Sequence, residues 1–194
     1  MVLFINACVR KESRTKRLAD AVLEKLGDSV EEVCVHDTEY PVTDEDFLVH
    51  RDALIDQGAF DHPLFARAKQ FALADRIVIA APYWDLSFPA ALKQYIEHVN
   101  VRGVTFYYTE EGIPKGLCRA KELYYVMTAG GDYVPDEYGF GYIKSLAQNY
   151  YGIPEVSLIQ AHGLDVVGAD VEGIMRDAAE HVNTLFAERR NMRK

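Results

Sequence analysis

The sequence predicts an α/β fold: three layers, doubly wound, around a five-stranded parallel sheet. Two observations predict it. Short apolar runs alternate with stretches whose apolar residues recur at helical spacing, and every connection is long enough for a right-handed crossover. The loops after the first, third and fourth runs are also rich in Gly, Pro, hydroxyls or aromatics. Those loops stand at the carboxyl ends of strands, where such sheets bind ligands.

The elements follow in order. "VLFINA", residues 2–7, suits a buried strand. From Ser13, Leu18, Val22 and Leu26 recur on one helical face, and Gly27 stops that helix. "EEVCVH" is the second strand. "TDEDFLVHRDALIDQG" and "PLFARAKQFALA" are helical pieces, the first opening on an N-cap with acidic first-turn residues that suit the helix dipole. "RIVIAA" is the third strand, and Phe88, Leu92, Tyr95, Ile96 and Val99 form the next helical face. "GVTFYYTEEGIPKG" is a short extended excursion with a turn, and "ELYYVMT" is the fourth strand. "GFGYIKSLAQNYYG" is a helix closed by Gly152, and "EVSLIQAHGLD" is the fifth strand. Val171, Ile174, Met175, Ala178, Val182, Leu185 and Phe186 mark a long final helix, after which "ERRNMRK" reads as a solvated tail.

Composition narrows the function. A net charge of −9 argues against general nucleic-acid binding. No apolar run is long enough to span a membrane, and the N-terminus has no basic leader. Cys8, Cys34 and Cys118 are widely spaced with no CxxC, which suits reduced thiols in a cytoplasm. The histidines show no metal-ligand spacing, and His162, at the end of the fifth strand, is the one placed to approach a ligand site.

The loop after the first strand, "CVRKESRTKR", concentrates Arg10, Lys11, Arg14, Lys16 and Arg17 where a helix begins. Cations there oppose the helix dipole. An anion held by free N–H groups, by Ser13 and Thr15, and by a basic side chain reverses the penalty. Neither GxxxxGK[ST] nor GxGxxG occurs, so a monophosphate fits better than a nucleoside triphosphate or dinucleotide. The loop after the third strand, "PYWDLSFP", is pinned by Pro82, which ends the strand, and by Pro89, in the first turn of the next helix, and it carries the chain's only tryptophan, Trp84. Its aromatics offer a wall for a flat redox ring. In "TAGGDYV", Gly130 and Gly131 let backbone approach that ring, and Tyr133 covers it or donates a hydrogen bond.

Motif order and spacing over nearly the whole chain resemble the flavodoxin-like NAD(P)H oxidoreductases. "APYWDLSFPAALKQYIEHV" resembles the flavin loop and following helix of DT-diaphorase-type quinone reductases. "RGVTFYYTEEGIPKGL" is similar to the extended segment of FMN-dependent azoreductases, and "TAGGDY" to the Thr-x-Gly-Gly loop of the same superfamily. The resemblance implies one flavodoxin-like domain over residues 1–194, with strand order 2-1-3-4-5 and helices on both faces. It implies FMN, with FAD the lesser candidate, and ping-pong hydride transfer from NAD(P)H to a small-molecule quinone or azo acceptor. It also implies a homodimer with the site at the subunit boundary.

Carried over residue by residue, Arg10, Ser13, Arg14 and Thr15 hold the phosphate. Pro82, Tyr83, Trp84, Asp85 and Leu86 form the ring loop, and Thr128, Ala129, Gly130, Gly131 and Tyr133 the second ring-binding loop. Tyr133 is the candidate catalytic group, supplying a proton in competition with water. Two departures from the resemblance stand out: many relatives carry Asn where Asp85 stands, and "DYVPDEYGFGY" lacks the histidine that DT-diaphorase-like enzymes have downstream of the glycines.

Three other functions compete. A flavodoxin-like electron carrier would bind flavin without room for nicotinamide. A low-molecular-weight-type phosphatase would use Cys8 and Arg14, which match a C-x5-R-[ST] loop, although no Asp-Pro follows to serve as its acid. A phospho-acceptor receiver domain needs an acidic residue at the end of strand one or three, and neither strand has one.

Overall fold

The computed structural model describes residues 1–192. Five parallel strands form the central sheet: β1 (Val2–Asn6), β2 (Val30–Cys34), β3 (Arg76–Ala80), β6 (Glu122–Thr128) and β7 (Glu155–Ala161). Their spatial order is β2-β1-β3-β6-β7. This is the expected 2-1-3-4-5 order, renumbered because the excursion between β3 and β6 forms two short strands of its own. These are β4 (Phe106–Tyr108) and β5 (Pro114–Gly116), an antiparallel hairpin.

The helices are α1 (Arg14–Leu26), α2 (Glu45–Asp56), α3 (Ala66–Leu73), α4 (Ala90–Val99), α5 (Phe140–Leu146) and α6 (Val171–Met192). α5 runs on into a π-helical turn, Ala147–Tyr151, which Gly152 closes at φ 72°. α1 shows how local chemistry sets the ends of a helix. The Ser13 side chain accepts from Lys16 N–H at its start, and Gly27 turns left-handed at φ 65° at its end. Asp44 caps α2 in the same way.

Strand alternation sends successive side chains to opposite faces. Leu3, Ile5, Ile77, Ile79, Leu123 and Tyr125 pack with Leu92, Tyr95 and Ile96 of α4. Val2, Phe4, Val78, Tyr124, Val126 and Ile159 pack with Leu18 and Val22 of α1 and Met175 and Val182 of α6. Each large apolar side chain so buried contributes roughly 1.5–3 kcal/mol, which holds three layers together without any disulfide. β2 is an edge strand and exposes Glu31 and Glu32, charges that discourage further strand pairing.

Two readings of the sequence need correction. "ERRNMRK" is not wholly a solvated tail. Arg189 lies in α6 with a largely buried side chain, donating to Glu122 Oε1 at 2.7 Å, Tyr124 Oη at 2.6 Å and Ser157 Oγ at 2.8 Å. A buried carboxylate on one strand needed a cation, and helical phase brought Arg189 to it. Arg193 and Lys194 lie outside the described residues. Pro89 precedes the first turn of α4, at the N-cap position with ψ 141°, rather than sitting inside it.

Candidate cofactor cleft

Loops at the carboxyl ends of β1, β3, β6 and β7 enclose one cleft of about 290 Å³, close to the lower limit of roughly 300 Å³ for small-molecule sites. Ten of the sequence-predicted residues line it: Arg10, Ser13, Arg14, Thr15, Pro82, Tyr83, Trp84, Thr128, Ala129 and Gly130. Asp85, Leu86, Gly131 and Tyr133 are not among its lining residues. Val9, Glu12, Leu164 and Asp165 line it without having been anticipated.

One end of the cleft is polar. After β1 the chain turns when the Asn6 side chain accepts from Cys8 N–H at 2.9 Å. α1 then opens with Arg14, Lys16 and Arg17 and no acidic residue in its first turn. Its leading amides have no carbonyl four residues back to bond, and no acidic residue within its first turn offsets the positive end of its dipole. Thr15 is buried, and its hydroxyl shares a 2.6 Å hydrogen bond with that of Thr128, tying the start of α1 to the end of β6.

The other end is aromatic and rigid. Tyr83 N–H donates to Thr128 O at 3.0 Å and prolongs the pairing of β3 with β6. The Tyr83 hydroxyl donates to Pro135 O at 3.4 Å, so this side chain braces the loop against residues 135–139. Trp84 and Ser87 exchange backbone hydrogen bonds of 3.0 and 2.8 Å, closing a two-residue hairpin loop. Asp85 and Leu86 at its tip have φ of 50° and 67°. Positive φ at both central residues is the signature of a type I′ turn, normally filled by Asn-Gly. Asp tolerates that region, whereas Leu is strained there by about 1–2 kcal/mol. The turn answers why a tryptophan sits in a loop: it holds Trp84 at the cleft with 42% of its surface exposed.

The loops after β6 and β7 are bolted together. Leu164 N–H donates to Ala129 O at 3.2 Å, Asp165 N–H to Gly130 O at 2.9 Å and Gly163 N–H to Gly131 O at 3.0 Å. A Cβ on Gly130 would lie 2.3 Å from an Asp165 carboxylate oxygen, and one on Gly163 would lie 2.4 Å from Asp132. Any side chain at residue 130 would therefore displace the Asp165 carboxylate, a contact its TAGG context did not reveal. Arg14 joins the same junction, donating to Leu164 O at 3.1 Å and Asp165 Oδ1 at 2.8 Å. His162 meets Asp132 at 3.1 Å beside it, outside the cleft lining.

Cys8 is no nucleophile here. It packs with Phe4, Leu18 and Val22, and its thiol points at Ala80 O at 3.8 Å. Burial pushes the thiol above its ordinary range, against the thiolate a phosphatase needs. Arg14 faces Asp165 instead of an anion loop built around sulfur. Among the described residues no cluster of His, Cys, Asp and Glu could hold a metal, and no helix is long and apolar enough to cross a membrane.

A cleft with a cationic, hydroxyl-bearing end and a flat apolar end fits a phosphorylated planar ring. Comparison with known proteins agrees. Residues 1–185 match the family model described as flavodoxin-like fold. The chain belongs to that family. It is 39% identical over 193 residues to FMN-dependent NADH:quinone oxidoreductase 2 of Clostridium acetobutylicum, covering 92% of this chain and 94% of that one. It is 35% identical over 197 residues to the FMN-dependent NADH:quinone oxidoreductase of Lachnoclostridium phytofermentans, covering 96% and 98%. Among solved structures, an azoreductase from Bacillus anthracis superposes with a TM-score of 0.81 at 25% identity, covering 96% of this chain and 98% of that one.

Proposed function

We infer that this flavodoxin-family chain is an FMN-dependent NADH:quinone oxidoreductase that also accepts azo-type compounds. The observation that carries the reading is the joining of two unlike surfaces in one cleft: the open start of α1, with its hydroxyls and arginines, and the pinned wall of Pro82, Tyr83 and Trp84. The kinship to proteins named for FMN, NADH and quinone gives the cofactor and reaction class.

When bound, FMN supplies the two-electron chemistry, receiving hydride from NADH and passing it to a quinone or azo acceptor. The chain's residues supply position. The first-turn amides of α1, with Arg10, Ser13, Thr15 and Arg14, hold the phosphate. Pro82, Tyr83 and Trp84 wall one side of the ring, and Thr128, Ala129 and Gly130 bring backbone to it. Asp85 and Leu86 act indirectly, as the turn that aims Trp84. Gly131 and the exposed Tyr133 closely follow the cleft-lining Gly130 in sequence, and there the Tyr133 hydroxyl or water would hand a proton to the acceptor. Catalysis then rests on holding donor and acceptor in turn at one place, which yields ping-pong kinetics.

We further propose a single domain over residues 1–194, a homodimer and a cytoplasmic location. Tyr107, Tyr108, Ile113 and Leu117 are exposed on and beside the β4–β5 hairpin, as are Trp84 at the cleft and Leu86 on the turn that carries it. Such apolar surface supports a subunit contact that completes the site. The three unpaired cysteines suit a reducing compartment.

The test is a visible spectrum of the purified chain loaded with FMN, followed as NADH, then menadione, is added. The expected result is bleaching by NADH and return of colour with menadione. A yellow protein that NADH does not bleach would instead be an electron carrier.

A further inference from the structure

Arg14 was expected to be a phosphate ligand, but its guanidinium is already engaged. Nη1 donates to Leu164 O at 3.1 Å and Nη2 to Asp165 Oδ1 at 2.8 Å. The partner carboxylate lines the same cleft as Arg10, Ser13 and Thr15. The four charged residues lining that cleft are Arg10, Glu12, Arg14 and Asp165, and their charges cancel. A site evolved only to hold a dianion as tightly as possible would have no carboxylate on one of its two guanidinium groups.

Asp165 also has a second contact. Its backbone N–H donates to Gly130 O, and its other carboxylate oxygen lies 2.3 Å from where a Cβ on residue 130 would be. One side chain thus touches both the phosphate loop and the ring loop. The ion pair is partly open to water, with side-chain exposures of 32% and 65%, so it is easily exchanged. A guanidinium has five N–H donors, enough for Arg14 to turn toward a phosphate while keeping the Leu164 carbonyl.

We propose that Asp165 is a specificity-determining residue for the cofactor's phosphate, acting by competition for Arg14. The inference rests on the FMN reading above. Asp165 weakens the grip on phosphate-bearing flavin and narrows the preference for FMN over riboflavin. In return its carboxylate fixes the loop after β7 against Gly130, where the ring is seated.

The test is a binding titration of the full chain, freed of flavin, with FMN and separately with riboflavin, followed by flavin fluorescence. Asp165→Asn keeps the shape beside Gly130 and an acceptor for Arg14 but removes the charge. FMN Kd is expected to fall roughly threefold to fivefold, the upper range of what one exposed ion pair is worth once the phosphate no longer has to displace it from Arg14, with riboflavin Kd unchanged. In an Arg14→Gln background the same replacement is expected to change FMN Kd less than about twofold, because the route through Arg14 is gone. An unchanged or raised FMN Kd overturns the proposal, as does equal tightening in the Arg14→Gln background. Loss of both flavins together in Asp165→Asn also overturns it, since that marks a purely structural role. A wild-type chain that binds neither flavin refutes the cofactor reading itself, a separate outcome.

Discussion

Gly116 is the position where one methyl group should do the most damage. It ends β5, and the β4–β5 hairpin is seated through it on the π-helical turn after α5. A Cβ there would lie 2.0 Å from the carbonyl carbon of Tyr151 and 2.2 Å from Gly152 N. Ordinary contact begins near 3.4 Å, so one surface must retreat by more than an ångström. Neither yields cheaply, because both atoms are backbone and Gly152 is itself held left-handed at φ 72°. Retreat of the hairpin also strains the 3.3 Å hydrogen bond from Cys118 N–H to Tyr151 O. Overpacking of about 1–3 kcal/mol and a weakened backbone bond of about 1 kcal/mol put Gly116→Ala at roughly 2–4 kcal/mol of lost stability. Equilibrium urea unfolding, read by far-UV circular dichroism against wild type at equal m-value, measures it. A loss below about 1 kcal/mol would refute the packing argument, since an ordinary surface change produces no more than that.

Three further outcomes are expected. Leu86→Gly relieves the left-handed leucine; about 1–2 kcal/mol of strain less the 0.5–1 kcal/mol entropic cost of glycine leaves a small net gain, and a fall in Tm would contradict it. His98 is buried against Tyr40 and Phe47, and burial holds its imidazole below the usual value of 6.5. The unfolded chain therefore binds the extra proton, so the stability His98 contributes is whole above pH 6.5 and is lost as pH falls below it. His98→Phe should flatten urea-unfolding stability between pH 7 and pH 5, and an unchanged slope would count against it. Cys8→Ala should retain NADH:menadione turnover, and the wild type should not hydrolyse p-nitrophenyl phosphate; thiol-dependent hydrolysis would revive the phosphatase.

What was legible in the sequence was what local chemistry decides. Ser13 and Gly27 bound α1 because a cap and a left-handed stop act within one turn. β1, β3 and β6 were legible from their apolar runs, and three of the cleft's loops from their place after those runs. Leu164 and Asp165 escaped notice because they enter the cleft only through the register of β7 on β6, a pairing of distant segments. A signal was present: "EVSLIQAHGLD" reads as one strand, but β7 stops at Ala161, and the glycine and acid of "HGLD" lie in the loop after it, just where a cleft-facing loop belongs. The turn at Asp85 and Leu86 was hidden because leucine is a poor marker for positive φ. Arg189 was misread because its partner Glu122 lies 67 residues away.

The most direct measurement uses Trp84, the only tryptophan in the chain. If the ring of FMN lies against that wall, adding FMN to the flavin-free protein should quench most of the tryptophan emission and saturate at one equivalent per chain. Saturable binding seen in flavin fluorescence while Trp84 emission stays unchanged would put the ring elsewhere and contradict the account.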